Sequence, residues 1–502
     1  MGNVKGFLSR LSHEFCGTRL HDRFITWQSR WQAILGTQLL VGLCLTILVD
    51  LAPLPALSQQ TGGGAVQPLS QGSISSGQGY LWLSQFANPG IRGALYQTPT
   101  FPYTGIYPLF PGSLVQVIQE AGVKTGPVLL HPHIGVAEMF TDNVLRTPTK
   151  RSDFFTTVAP GLQAQLPFGG RHLLVADYRS NLQFFHRTPS NNVQDQTTTA
   201  ALKLDLASGI KIDLQGEQKF GHDPRGSALD LQTIELNKWS ATSFTGRAQY
   251  EGGVLGATLN MQSTRWHYLN NNQALIRDRL SNYLGMTLSA KALPNTSLLV
   301  DFSVRQDNYD DNKNLDNAIY TVSGGAKWDI SSNTTGEFLV GYQHLRFARA
   351  VAVQPGPVLS VFRRDQDSTD NLYLMGRLLW SPIADLQITV QPYRTIQQTV
   401  VAGTAFFTAT GINLSATYPL GTRMELTSNF GYEQDKFSTP AGARAGVPSR
   451  SDTLKNVAIG LNYRAVRWLG IGVQYVFEDR SSTVSNFTYQ ANTAMVSVQA
   501  VF

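Results

Sequence analysis

The chain has 502 residues, 42% of them hydrophobic and only 15% charged, with a formal net charge of +6. Soluble domains carry about 25% charged residues, and a positive charge spread this thinly excludes a nucleic-acid-binding surface as the organising feature. Beyond residue 60 no apolar run reaches the roughly 18 residues of a membrane-spanning helix, so a large β protein fits better than an α/β enzyme.

The first residues read as a leader. Lys5, Arg10, Arg19, Arg23 and Arg30 form a long basic stretch, followed by the apolar AILGTQLLVGLCLTILV (33–49). Ala56-Leu57-Ser58 supplies a small-x-small cleavage pattern, so residues 1–58 are expected to be a signal peptide. An uncleaved signal anchor is the alternative, favoured by Asp50 and by the length of the basic stretch. Both cysteines, Cys16 and Cys44, lie in this leader. The expected mature chain therefore has neither a disulfide nor a thiolate metal site.

Residues 59–127 differ in kind. QQTGGGAVQPLSQGSISSGQGY is rich in Gly, Ser and Gln, and QTPTFPYTGIYPLFPG is rich in Pro and aromatics. The first reads as flexible, and the second cannot form a regular helix or a central strand. The stretch is expected to be a flexible periplasmic tether, or a segment that folds into a pore and plugs it.

From residue 128 to 502 one pattern repeats. Segments of alternating apolar and polar residues are bounded by turn signals, and a two-residue period means strands. In HLLVADYRSNLQFF, Asp177 and Arg179 oppose Leu174, Tyr178 and Phe184. In SLLVDFSVRQD, Asp301, Arg305 and Asp307 oppose Leu298, Val300 and Phe302. DLQITVQPYRTIQ and WLGIGVQYVFED repeat the alternation, the latter placing Glu478 on the polar face.

The joins alternate in length. PFGGRH, ASGIK, EGGVLG and PLGTR are short; HRTPSNNVQDQ, GHDPRGSALDLQTIELNK and EQDKFSTPAGARAGVPSRSDT are long. Short turns at one end and long loops at the other predict a transmembrane antiparallel β-barrel of about 16–18 strands in a Gram-negative outer membrane. Lipid offers no hydrogen-bond partners, so such a sheet must close on itself. Its apolar face then looks outward and its polar face inward. Asp177, Arg179, Asp301, Arg305, Asp307 and Glu478 are thus the candidate pore-lining residues. Tyr342, Trp380, Tyr463, Trp468 and Tyr475 suit aromatic girdles.

The chain stops inside such a segment, on Ala494, Val496, Val498, Ala500 and Phe502. This end is expected to be the closing strand. Val498, Ala500 and Phe502 have the form of a terminal signal read by the barrel-assembly machinery.

GPVLLHPHIGVAEMFTDNVLRTPTKRSDFFTTVAPGL and AIGLNYRAVRWLGIGVQYVFEDRSSTVSNFTYQANTAMVSVQAVF resemble the β-barrel porin family of proteobacterial outer-membrane proteins. The resemblance spans residues 126–502. Its landmarks are Asp142-Asn143, Ser152-Asp153, Pro160 and Glu478-Asp479-Arg480 with Ser482. Thr141 stands where the family has an acidic residue. The resemblance implies an outer-membrane pore or secretion role, in some members alongside exopolysaccharide biosynthesis.

Enzyme motifs are not evident. The sequence holds no Gly-x-Ser-x-Gly elbow, P-loop or His-Glu-x-x-His. His131 and His133 could be two metal ligands on one strand face, but they fit better as surface or interior histidines at the barrel entrance. Asp307, Asp310, Asp311 and Asp316 crowd one outer loop without the glycine of a calcium loop. The expectation is therefore no catalytic residue, metal or cofactor. The expected partners are outer-membrane lipid, lipopolysaccharide, the assembly machinery and polysaccharide, with no nucleic acid. The expected function is a porin-like channel for export or passage of exopolysaccharide or small sugars. A non-conducting structural barrel and a barrel-embedded hydrolase with a triad spread over several strands are the alternatives.

Overall fold

The two-residue alternation becomes a single closed sheet. The computed structural model describes residues 122–206, 209–227, 234–311, 313–331, 333–348, 368–383, 385–399, 404, 406–438 and 449–502. The expected leader (1–58) and residues 59–121 of the following segment lie outside the described residues.

A short strand β1 (Val123–Thr125) precedes eighteen long ones. These are β2 (Val128–Thr141), β3 (Asp153–Phe168), β4 (His172–Phe185), β5 (Val193–Asp205), β6 (Ile210–His222), β7 (Lys238–Glu251), β8 (Leu255–Tyr268), β9 (Arg279–Leu293) and β10 (Thr296–Tyr309). They continue as β11 (Asn317–Ser331), β12 (Thr334–Phe347), β13 (Ser368–Trp380), β14 (Gln387–Gln398), β15 (Phe406–Leu420), β16 (Met424–Phe437), β17 (Ser451–Val466), β18 (Leu469–Ser482) and β19 (Tyr489–Val501). Each pairs antiparallel with its sequence neighbours, and β19 pairs with β2 from Thr493↔Thr141 to Val501↔His133. The barrel is therefore closed at eighteen strands, at the top of the expected range, and leaves no free edge among them.

The pleat sorts the side chains. Val300 is 43% exposed on the outer face of β10, whereas its neighbour Asp301 is 3% exposed on the inner face. The same inversion runs round the ring: Ile134, Phe184, Leu288, Val340, Phe430 and Val473 all stand exposed on the outside. An apolar outside over a polar inside is the reverse of a soluble sheet and suits lipid contact. All five expected girdle aromatics are exposed.

Pro160 marks a local irregularity in β3. Lacking an N–H, it cannot donate to the ladder, and the β3–β4 pairing skips from Val158↔Leu182 to Gly161↔Arg179.

The seam is reinforced at its base. β1 pairs with Val128–Leu130 of β2, just below the point where β19 stops, and Gly126 (φ +59°) makes the turn between them. This hairpin falls inside the stretch that the sequence assigns to a tether or plug. The Phe502 N–H donates to the Pro132 carbonyl at 2.9 Å, and the Phe502 ring stacks on Trp468 with centroids 5.8 Å apart.

Candidate pore interior and outer mouth

The inner face carries charges that compensate one another. In β4, residues two apart share a face, so Arg179 Nε reaches both Asp177 oxygens at 2.7 and 2.8 Å. Asp177 is buried, but the Arg179 side chain keeps 46% of its exposure. His133 also lies on this face. Its ring covers Gly161 so closely that a Cβ there would lie 2.2 Å from His133 Nε2, so only glycine fits.

Asp301, Arg305 and Asp307 share the inner face of β10, where they form wall rather than open surface. Asp301 accepts a hydrogen bond from the Thr287 hydroxyl at 2.6 Å. Asp307 is fully buried, with Arg305 Nε at 3.0 Å, Arg279 at 3.9 Å and the Ser281 hydroxyl donating to it. Beside them Asp310 pairs with Arg265, and Asp316 accepts the Tyr309 N–H at 2.7 Å. Those contacts use the acidic loop for internal bracing.

Glu478 lies at the outer end of β18 and pairs with Arg146 at 2.8 Å. Arg146 belongs to the β2–β3 loop, which also carries the landmark residues Asp142 and Asn143. Asp142 accepts the Asn492 backbone N–H and side-chain amide, each at 2.7 Å, and the Lys150 ammonium at 2.7 Å. Asn143 donates to the Gln490 carbonyl at 2.9 Å and the Thr147 carbonyl at 2.8 Å. Asp142 and Asn143 thus fasten the first loop to the closing strand, above the ladder of the seam. Partial burial pushes the Asp142 carboxyl up, but Lys150 and Asn492 outweigh it and hold the group below the usual carboxylate range. Asp153 accepts the Arg187 N–H and the Thr188 hydroxyl, fastening the β4–β5 loop in the same way.

Several residues that the sequence reading did not place in the interior complete this rim. Arg450 and Arg480 both pair with the buried Asp452, and Arg450 lies 3.6 Å over the Phe487 ring. Arg480 also donates through Nη1 to the Gly226 carbonyl at 2.6 Å. Gly226 belongs to the β6–β7 loop, so the part of this loop around Gly226 reaches the inner face of β18. Gly226 has φ +74°, and a Cβ there would lie 2.7 Å from the Tyr489 hydroxyl. Only glycine takes that backbone without strain and passes that close.

The root of the loop is fixed by a second buried pair. Arg277, at the end of a one-turn helix (Ala274–Arg277) in the β8–β9 loop, is fully buried against Asp223 and over the Tyr268 ring. Burial pushes the Asp223 carboxyl above the usual carboxylate range, against the pull of Arg277. The Pro224-Arg225-Gly226 turn was the available sequence signal, but a turn signal does not say whether a loop stands out into solvent or folds inward.

The interior thus presents polar groups of both signs, braced in pairs, with Gly226 of the β6–β7 loop held against β18 at its outer end. Among the described residues no group of three or more His, Cys, Asp or Glu is placed to hold a metal ion.

Three barrels of solved structure illustrate the likeness. The FrpB iron transporter (F3-3 variant) of Neisseria meningitidis is 11% identical, with a TM-score of 0.40 over 70% of this chain; the match spans 62% of FrpB. OpdL of Pseudomonas aeruginosa is 12% identical, with a TM-score of 0.41 over 75% of this chain and 99% of OpdL. The outer-membrane protein OmpT of Vibrio cholerae is 10% identical, with a TM-score of 0.33 over 76% of this chain and 100% of OmpT. No curated protein matches the chain in sequence. The family described as "Putative beta-barrel porin 2" matches residues 116–502, the whole barrel. With the closed eighteen-strand ring, the inward polar face and the landmark residues gathered at the seam, this chain belongs to that family.

Proposed function

We propose that this protein is an outer-membrane channel of porin type that passes small hydrophilic solutes, with neutral or weakly charged saccharides as the favoured cargo. One observation carries the reading: a closed ring of eighteen strands has an apolar outside and gathers its buried charged and polar side chains on the inside, beside apolar clusters such as Leu299, Leu339, Tyr373 and Met375. Rings of this strand number leave room for water in the lumen. The cargo preference rests on charge. Asp177 with Arg179, Arg305 with Asp307, and Arg146 with Glu478 neutralise one another locally. Such pairs make no filter of a single sign, and charged rings are what select ions.

The working surroundings are an outer membrane with lipopolysaccharide outside, reached by way of the barrel-assembly machinery. No catalytic step is assigned to the chain. The test is swelling of liposomes containing the purified barrel in iso-osmotic sugars of rising size. Swelling that is fast with monosaccharides and slows through the trisaccharides supports the channel. Liposomes that swell no faster than protein-free ones in every sugar contradict it.

A further inference from the structure

One end of the barrel carries the short turns, and in outer-membrane barrels that end faces the periplasm. Four of these turns stand side by side round the ring: β15–β16, β17–β18, the β1–β2 hairpin and β3–β4. They carry Arg423, then Arg464 and Arg467, then Lys124, then Arg171. The matching stretches 418–424, 463–469, 122–130 and 166–173 contain no Asp or Glu. Elsewhere on this rim the signs are mixed. Lys211 pairs with Glu251 at 3.4 Å, and Asp385 lies on the β13–β14 turn. The rim therefore has one basic arc, set about the seam between β19 and β2.

The arc is braced through its backbone and leaves its charges unpaired. The Arg464 N–H donates to the Arg423 carbonyl at 2.7 Å, and Arg464 Nη2 donates to the Thr422 carbonyl at 2.6 Å. These bonds tie the β15–β16 and β17–β18 turns together, so three guanidinium groups sit on two joined turns. Arg423, Arg467, Arg171 and Lys124 are exposed. No described acid pairs with any of them. Like charges held on neighbouring turns repel one another, and an anion from outside the chain relieves that repulsion.

The outer face beside the arc says which anion. Phe168, Tyr418, Tyr463, Trp468 and Phe502 all stand exposed there. Tyr and Trp collect where a membrane meets water, with their rings at head-group level. Arg467 directly precedes Trp468, and Arg464 directly follows Tyr463. The cations thus lie at the depth of lipid phosphates, which a guanidinium meets through paired, charge-assisted hydrogen bonds. A zwitterionic head group brings its own cation to such a surface, whereas an anionic one brings none. The arc therefore favours lipids of net negative charge.

We propose that this basic arc is a binding surface for anionic phospholipid of the periplasmic leaflet, with Arg423, Arg464 and Arg467 meeting the head-group phosphates beside the Tyr463 and Trp468 rings. The binding goes beyond the proposed channel: it needs the barrel in its membrane and no conduction.

The test is native mass spectrometry of the purified, folded barrel in detergent, incubated with equal amounts of phosphatidylglycerol and phosphatidylethanolamine of the same acyl chains. The wild type is expected to retain phosphatidylglycerol about tenfold over phosphatidylethanolamine. Arg423→Gln combined with Arg467→Gln should cut that preference at least about fivefold, the factor one such charge carries at a membrane surface. Neither side chain braces the turns, and folding is checked by unheated gel mobility. Arg171→Gln with Lys124→Gln replaces the pair if it fails that check. Lys436→Gln with Lys455→Gln, two exposed lysines toward the other end of β16 and β17, should leave the preference unchanged. Excess glycerol 3-phosphate should not displace the lipid. The proposal is overturned if the two lipids are retained equally, if folded arc variants keep the wild-type ratio, or if the Lys436 and Lys455 changes reduce it as much. Displacement by glycerol 3-phosphate would also overturn it, by making the arc a site for a soluble phosphate ester.

Discussion

Arg480 Nη1 donates to the Gly226 carbonyl at 2.6 Å, across 254 positions of sequence. The bond joins the inner face of β18 to Gly226 of the β6–β7 loop and holds that part of the loop against the wall. Replacing residues 224–236 by a short Gly-Ser linker is expected to leave the barrel assembled and to raise its single-channel conductance. Equal conductance in the shortened and native proteins would mean that the loop does not narrow the path.

The seam latch makes a prediction about pH. Asp142 is held below its ordinary value of 3.8 by Lys150 and Asn492, in spite of partial burial. A group with a depressed pKa in the folded state contributes its stability above the unfolded pKa and loses it as pH falls. At pH 7 Asp142→Ala should therefore lower the stability to urea unfolding by about 1–3 kcal/mol. The difference from wild type should shrink once pH falls below 3.8. A gap that persists unchanged in acid would separate the latch from the charge of Asp142.

Arg179 tests the interior. It is the most exposed of the six charged residues that the alternation assigns to the lumen. Arg179→Glu places a negative charge beside Asp177. The reversal potential across a planar bilayer in a salt gradient is expected to move toward cation selectivity. An unmoved reversal potential in a conducting variant would place Arg179 away from the path. Asp307 is a poorer probe, because Asp307→Lys would set a cation among Arg305 and Arg279 in a buried site. Breaking a buried pair costs about 3–5 kcal/mol.

The sequence carried the architecture further than it carried the interior. Alternation is a backbone property, so HLLVADYRSNLQFF reads directly as β4, and short joins alternate with long ones between the strands as expected. It also names the face, as with Asp301 against Val300. It does not say how far a side chain reaches toward water. Arg179 stays half-exposed while Asp307 is sealed under Arg305, and both occupy the same kind of position in the pattern. That difference depends on strands and loops distant in sequence. The loop contact is hidden for the same reason: nothing near Gly226 indicates that its carbonyl meets Arg480. The landmark pair Asp142-Asn143 was visible as a motif, but its partners Asn492 and Gln490 lie some 350 positions away.

The base of the seam depends on Phe502, which stacks on Trp468 and bonds to Pro132. Deleting Phe502 removes both contacts and is expected to reduce the amount of folded, heat-modifiable protein in the outer membrane. Phe502→Asp is a weaker probe, since a charge near the interface costs only about 0–1 kcal/mol. Wild-type levels of the deletion variant would show that closure does not need this residue.

The central claim is that the closed ring encloses a water-filled path, and single-channel recording of the purified, folded protein in a planar bilayer tests it most directly. The account predicts discrete conductance steps in simple salt, with weak ion selectivity and a larger step once residues 224–236 are shortened. Folded protein that inserts and yet gives no steps, in both the native and the shortened forms, would contradict it.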